Sequence, residues 1–175
     1  VRLRYDVSIS VDDSRDKGTK KTLLSGAAGE AGPGDTLAVL GPSGSGKTTM
    51  LRVLSGRMVG YTGRVLLNEK SPTETTRNVL CFVQQEDLFI PSVTPREHLL
   101  FHARLRIENS IPVEEKIRRV NGLLAELGLK KCADTPIGGV GATVSGNISG
   151  GEKKRLSLAT ELLSRPSVIF ADEVT

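Results

Sequence analysis

The spacing of apolar and polar residues predicts strands at both ends of the chain and helices between them. From residue 3 to residue 11, the apolar side chains of Leu3, Tyr5, Val7, Ile9 and Val11 alternate with polar ones, which is the pattern of a strand with one buried face. Shorter apolar runs predict strands at residues 22–24, 36–40, 64–67, 79–83 and 168–171. The run at 36–40 suits a strand that is buried on both faces of a parallel sheet.

Helices are predicted at residues 46–54, 95–106, from 112 to about 127, and after 149. Thr94 and Glu97 form a Thr-x-x-Glu capping box with a proline at the first helical position. Gly128 is expected to end the third helix. One apolar stripe of this helix is predicted to face the core, and it consists of Val113, Ile117, Val120, Leu124 and Leu127. This order of elements predicts an α/β core with a helical insertion.

Composition adds little beyond a soluble globular class. The chain has 175 residues, 38% of them apolar, and a net charge of only +4, and its basic residues are spread along the sequence. A nucleic-acid partner is therefore not expected. No apolar run reaches the roughly 20 residues of a membrane span. The two cysteines lack metal-ligand spacing and are expected to be free thiols.

One glycine-rich segment carries most of the functional information. It fits the pattern G-x-x-x-x-G-K-[ST] in full, with Gly41, Pro42, Ser43, Gly44, Ser45, Gly46, Lys47 and Thr48. In such a phosphate loop, backbone N–H groups surround phosphate oxygens, the lysine reaches the β- and γ-phosphates, and the hydroxyl binds Mg²⁺. We therefore expect residues 41–48, followed by Thr49, to bind a magnesium–nucleotide.

Two further segments have the residue types that this chemistry needs. Asp172 and Glu173 follow the apolar run at 168–171, where one carboxylate can hold Mg²⁺ and the other can orient or deprotonate an attacking water. Ser149 and Glu152 form a second capping box around Gly150 and Gly151. Two glycines in a first helical turn lower helix propensity, so bare backbone there indicates close approach of an anion.

The combination of these segments resembles the ATP-binding domain of ABC transporters. Ser149, Gly150, Gly151 and Glu152 match the signature motif, and the strand before Asp172 matches the Walker B segment. The resemblance also assigns a Q-loop to Phe82-Val83-Gln84-Gln85, with Gln85 at the glutamine that contacts Mg²⁺ and the attacking water. The segments Thr-Pro-Arg-Glu-His-Leu and Phe-His-Ala-Arg-Leu-Arg further resemble the White-type, or G, subfamily.

The resemblance implies a P-loop NTPase core with a small N-terminal antiparallel β-subdomain and a helical subdomain. Residues 1–85 would hold the β-subdomain and the first part of the core, 86–163 the helical subdomain, and 164–175 the Walker B strand. The chain is expected to be a partial domain, truncated after this strand, because the family continues into a D-loop and a switch histidine. Val174 stands where the family has proline.

The implied function is ATP hydrolysis that powers substrate export, with ATP and Mg²⁺ as cofactors. Lys47, Gln85 and Glu173 would be catalytic, and Thr48, Gln85 and Asp172 would hold the metal. A second ABC domain would supply its residues 149–152 to the bound ATP, and a transmembrane domain C-terminal to this chain would place it at the cytoplasmic face of a membrane.

Three alternatives stay open from the residues. A soluble ABC ATPase that acts on nucleic acid or ribosomes has the same motifs. The chain alone could bind nucleotide with little or no turnover. A P-loop GTPase or small-molecule kinase is disfavoured, because the sequence has no Asn-Lys-x-Asp guanine reader and neither class has the signature helix.

Overall fold

The structure is a computed structural model that describes residues 1–12, 20–71, 79–84, 89–138 and 147–172. The chain divides into two compact units, Val1–Leu80 and Cys81–Thr175. The division predicted from the sequence, at residues 85/86 and 163/164, stays a prediction. Gln85 and Glu173 lie outside the described residues, as does Val174.

The first unit is built on a three-stranded antiparallel sheet. Strands β1 (Leu3–Asp12), β2 (Lys20–Ala31) and β3 (Thr62–Leu67) lie in the order β2-β1-β3. The alternation predicted for β1 is confirmed from Leu3 to Ile9, since Leu3, Tyr5, Val7 and Ile9 are all buried. This sheet confirms the N-terminal antiparallel β-subdomain.

Helix α1 (Lys47–Leu54) follows the phosphate loop, as predicted, and buries Met50, Val53 and Leu54. The strand predicted at 36–40 is wrong: these residues form no strand, and Leu40 is 90% exposed. An apolar run becomes a strand only where a neighbouring strand accepts its ladder hydrogen bonds. No strand among the described residues pairs with this run.

The second unit begins within strand β4 (Leu80–Val83) and is mostly helical. It contains helices α2 (Pro95–Arg106), α3 (Val113–Glu126) and α4 (Gly150–Leu162), a 3₁₀ turn at Lys130–Cys132, and strand β5 (Val168–Ala171). Strands β4 and β5 pair in a two-stranded sheet. Among the described residues, no helix has both the length and the apolar character needed to cross a bilayer.

The helices pack around one apolar core whose main contributors are Leu99, Ala103, Val120, Leu124, Leu129, Ile137, Ile148, Leu156, Ala159 and Leu163. The stripe predicted for α3 is wrong in its first turn, because Val113 and Ile117 are 50% and 40% exposed. Lys116 takes the inward position instead, since its Nζ donates to the Ile107 carbonyl at 2.8 Å. A lysine can bury its alkyl stem in this way when its charged end finds a partner.

Strand β5 is also less buried than predicted. Phe170 is buried, but Ile169 is 45% exposed and Ala171 is exposed as well. Burial alternates along the strand, so one face of β5 is covered and the other, with Ile169 and Ala171, is exposed.

Candidate functional site

The phosphate loop leads directly into the N-terminus of α1. Gly46 is the N-cap residue at φ 91°, and no side chain caps this helix end. Gly44 has φ 79°, and Ser45 N donates to the Pro42 carbonyl at 3.2 Å to close the turn. Residues 41–45 are exposed. The first turn of α1 contains no acidic residue, so its backbone donors suit an anion such as phosphate.

Lys47 lies over its own loop. Its Nζ donates to the carbonyl oxygens of Gly41 and Pro42, each at 2.9 Å. These bonds hold the ammonium group beside the backbone that would surround a phosphate. The position of Lys47 therefore fits the role expected for it, because a short movement would bring the charge to a bound phosphate oxygen.

Space inside the loop is limited at two of its glycines. A Cβ at Gly41 would lie 2.7 Å from Ser45 Oγ, and a Cβ at Gly46 would lie 3.1 Å from the Leu23 carbonyl oxygen. The left-handed φ of Gly46 adds backbone strain for any other residue. The loop thus needs glycine at Gly46 for its own shape, whereas at Gly41 the serine hydroxyl could move aside.

The strand ends of the second unit bring Asp172 beside the start of the predicted Q-loop. Asp172 N donates to the Val83 carbonyl at 3.2 Å, so the carboxyl ends of β4 and β5 lie together. Asp172 is only 6% exposed, whereas Gln84 is exposed. The structure therefore places Asp172 next to Gln84, and the roles of the neighbouring Gln85 and Glu173 stay predictions.

The signature segment, residues 149–152, forms the capping box predicted for α4. Glu152 N donates to Ser149 Oγ at 3.3 Å, and Glu152 Oε2 accepts from Ser149 N at 2.7 Å and from Ser149 Oγ at 2.8 Å. These hydrogen bonds hold the pKa of Glu152 below its usual value, and the bond from the Ser149 backbone N–H has the largest effect. Ser149, Gly150 and Gly151 are exposed, so their backbone and the serine hydroxyl face solvent.

Cys132 lies behind this segment. Its thiol is buried and donates to the Leu129 carbonyl, with an Sγ–O distance of 3.4 Å. Burial raises the pKa of this thiol, and the carboxylate of Glu152 adds to the effect. Cys132 is therefore an unreactive thiol, and both cysteines are free.

A cavity of about 200 Å³ lies within the second unit, and sequence reasoning missed it. Its lining includes Phe82, Gln84, Phe89, His98, His102 and Thr160. Thr160 Oγ1 donates to the Leu156 carbonyl at 2.8 Å, so His98 Nε2, 3.1 Å away, must be the donor to Thr160. Burial lowers the pKa of His98 to about 4 and keeps the ring neutral.

The i, i+4 spacing of His98 and His102 is the only sign of this cavity in the sequence, and without a third ligand it does not favour a metal site. Among the residues that the structure describes, no group of three or more His, Cys, Asp or Glu side chains is placed to hold a metal ion. The partner of His98 is 62 residues away on α4, so sequence spacing cannot reveal it.

The phosphate loop belongs to the first unit, and Asp172, Gln84 and residues 149–152 belong to the second. The structure thus presents two separate sets of functional residues. A glycine-rich loop that precedes a helix with an uncapped N-terminus, in a fold of this type, defines a P-loop nucleotide-binding protein.

Comparison with known proteins gives the family. Residues 24–175 match the family model described as ABC transporter. The chain therefore belongs to the ABC transporter family, and it is an ATP-binding part of such a protein.

The similar proteins carry names of one subfamily. ABC transporter G family member 7 of Arabidopsis thaliana is 47% identical over 181 residues, covering 100% of this chain and 24% of the relative. ABC transporter G family member 25 of the same plant is 45% identical over 89% of this chain, and ABC transporter G family member 22 of Dictyostelium discoideum is 40% identical over 99% of it. The chain spans about a quarter of the length of these relatives.

A solved structure supports the fold. The dimeric structure of a post-hydrolysis state of the ATP-binding cassette MJ0796, bound to ADP and Pi, matches with a TM-score of 0.77. The match has 22% sequence identity and covers 100% of this chain and 75% of that chain. The predicted ABC ATPase fold is thereby confirmed.

Proposed function

We propose that this chain binds and hydrolyses ATP to power substrate export across a membrane, as the nucleotide-binding part of a G-type ABC transporter. The observation that carries the proposal is the exposed phosphate loop at the uncapped N-terminus of α1, in a chain of this family. The names of the similar proteins support the transport role and the subfamily.

The phosphate loop binds the nucleotide through its backbone. The N–H groups of residues 43–48 and the first turn of α1 donate to phosphate oxygens, whereas Pro42 has no N–H to offer. Lys47 neutralises the charge that develops on the β- and γ-phosphates, while its bonds to Gly41 and Pro42 keep the ammonium group within the loop. Thr49 contacts the phosphates from the first turn.

The sequence motifs suggest which residues bind Mg²⁺ and which residue acts as the general base. Thr48, Gln85 and Asp172 would hold Mg²⁺, which would supply positive charge to the phosphates when bound. The burial of Asp172 at a strand end suits a metal ligand, because a fixed carboxylate needs little reordering. Glu173 orients and deprotonates the attacking water, and Gln85 positions that water.

A second ABC domain completes the site. Residues 149–152 of one chain would contact the nucleotide that the other chain holds, and closure of the pair would bury the ATP. The dimer of the ATP-binding cassette MJ0796 supports a partner of this kind. A transmembrane domain of the same polypeptide would choose the substrate and hold the pair at the cytoplasmic face of the membrane.

The test compares two variants of the complete polypeptide that contains this chain. Lys47→Met should lower ATP affinity, since it removes the only lysine of the loop, whereas Glu173→Gln should keep ATP affinity and abolish turnover. The Glu173→Gln protein should also accumulate an ATP-bound dimer in size-exclusion chromatography. Retention of turnover by Glu173→Gln would refute the assignment of the base.

The transport role needs its own measurement. ATP-dependent uptake into inverted vesicles that contain the polypeptide is expected, and Lys47→Met should remove it. An ATPase that is stimulated by ribosomes or RNA, without membrane association, would instead establish the soluble alternative.

A further inference from the structure

Three backbone hydrogen bonds connect the loop after β4 with the start of the signature helix. Ile137 N donates to the Val93 carbonyl at 2.9 Å, and Gly138 N donates to the Pro91 carbonyl at 2.8 Å. Ile148 N donates to the Pro136 carbonyl at 3.3 Å. We call these three bonds the signature tether, because they join residues 91–93, 136–138 and 148.

The tether ends at the capping residues of two helices. Ile148 directly precedes Ser149, the N-cap of α4, and Val93 directly precedes Thr94, the N-cap of α2. Both N-caps have complete capping boxes. The tether therefore sets the position of one helix start relative to the other through main-chain atoms alone.

The side chains around the tether anchor it in the core. Ile137 and Ile148 are 1% and 4% exposed, so neither segment can shift without disturbing the apolar packing. The Gly138–Pro91 bond adds a second main-chain contact between residues 136–138 and the loop, beside the Ile137–Val93 bond.

We propose that Gly138 is a positioning residue for the signature segment, and that its N–H, through the bond to Pro91, holds Ser149 where it can contact the nucleotide of a partner chain. This inference rests on the proposed function, because that contact belongs to it. Gly138 touches neither nucleotide nor metal in this role, and it acts through the backbone of residues 136 and 148.

Gly138 offers a matched pair of substitutions. It does not have a left-handed φ, and a Cβ there would lie 3.7 Å from Lys153 Nζ and 3.9 Å from Pro91 Cβ, which are ordinary contacts. Gly138→Ala therefore keeps the N–H and fits the available space. Gly138→Pro removes the N–H and adds a ring, whereas an amide-to-ester replacement at residue 138 removes the same donor without adding a side chain.

The experiment measures ATP turnover and ADP affinity of the complete polypeptide with each change. ADP binding reports the phosphate loop and should stay as in the unsubstituted protein, whereas kcat should fall about fivefold in the proline and ester forms, the effect of one net backbone hydrogen bond. Gly138→Ala should behave as the unsubstituted protein. A general loss of stability would lower ADP binding and kcat together, so the two effects can be distinguished.

An ester form with unchanged kcat would overturn the inference. If Gly138→Pro does not fold, the kcat of the ester form alone tests the role of the Gly138 N–H. ATP turnover by the unsubstituted polypeptide is the separate check of the proposed function. Its absence would overturn that function, and this inference with it.

Discussion

The two glycines of the signature segment are not required by the structure that surrounds them. A Cβ at Gly150 would meet no atom within 4 Å, and one at Gly151 would lie 3.5 Å from Arg155 Nη1, an ordinary contact. Neither glycine has a left-handed φ. As far as the described residues are concerned, alanine should therefore fit at Gly150 without strain, and none of them supplies a reason for glycine.

The expected effects of Gly150→Ala on stability and on function have opposite signs. Alanine in place of a helical glycine stabilises a helix by about 0.5–1 kcal/mol. For a chain of this size, the melting temperature should rise by about 1–4 °C. If the nucleotide of a partner chain approaches this backbone, a methyl group there would cost about 1–3 kcal/mol, as overpacking does in cores, and would lower ATP turnover about 5- to 160-fold.

The assay pairs thermal unfolding with ATP turnover, and Gly122→Ala is the matched control. Gly122 is an exposed residue of α3, and a Cβ there would also meet no atom within 4 Å. Both variants should gain stability, but only Gly150→Ala should lose turnover. Full turnover by a stabilised Gly150→Ala protein would refute the idea that these glycines serve the approach of a ligand.

Three further predictions concern the phosphate loop and two buried polar side chains. Gly46→Ala should weaken ATP binding in calorimetric titration about 10- to 100-fold, since it adds close contacts to left-handed strain, whereas Gly44→Ala, which has open space, should cost about fivefold. Lys116→Met should lower the free energy of unfolding in urea by about 1–3 kcal/mol, because it leaves the carbonyl at the end of α2 unpaired; an unchanged midpoint would contradict this. Because the pKa of His98 falls from 6.5 to about 4 on folding, the unfolded chain binds the proton first, and the free energy of unfolding should decrease by up to about 3 kcal/mol as pH drops from 6.5 towards 4. A His98→Gln protein should lack most of this pH dependence.

The features that sequence predicted well are those set by neighbours in the chain. The capping boxes at Thr94 and Ser149 involve residues three positions apart, so their hydrogen bonds follow once the helix starts. The phosphate loop is equally local, because its glycines, its lysine and the start of the following helix lie within the segment Gly41–Thr48. Its helix begins at Lys47, one residue from the predicted start.

The features that sequence missed depend on distant partners. The apolar run at 36–40 has the composition of a buried strand, but composition does not supply the neighbouring strand that its backbone needs. Lys116 is not part of the apolar stripe predicted for α3, and the Ile107 carbonyl that accepts from its ammonium group is nine residues away. His98 and Thr160 are buried together only because α2 packs on α4.

Both candidate nucleotide-binding segments lie at a helix N-terminus, but the two helix ends differ in how their N–H donors are capped. The first turn of α1 has a glycine N-cap and neither a side-chain cap nor an acidic residue, so its N–H donors are suited to an external anion. In α4, the hydroxyl of Ser149 already accepts from Glu152 N, and the carboxylate of Glu152 adds a negative charge to the first turn. A free phosphate would therefore bind α1 far more strongly than α4. Because the Ser149 hydroxyl donates to the Glu152 carboxylate, the donors that the signature segment has left are the N–H groups of its glycines. They can be added only to an anion that another site already holds, which is the behaviour expected of a segment that acts on closure.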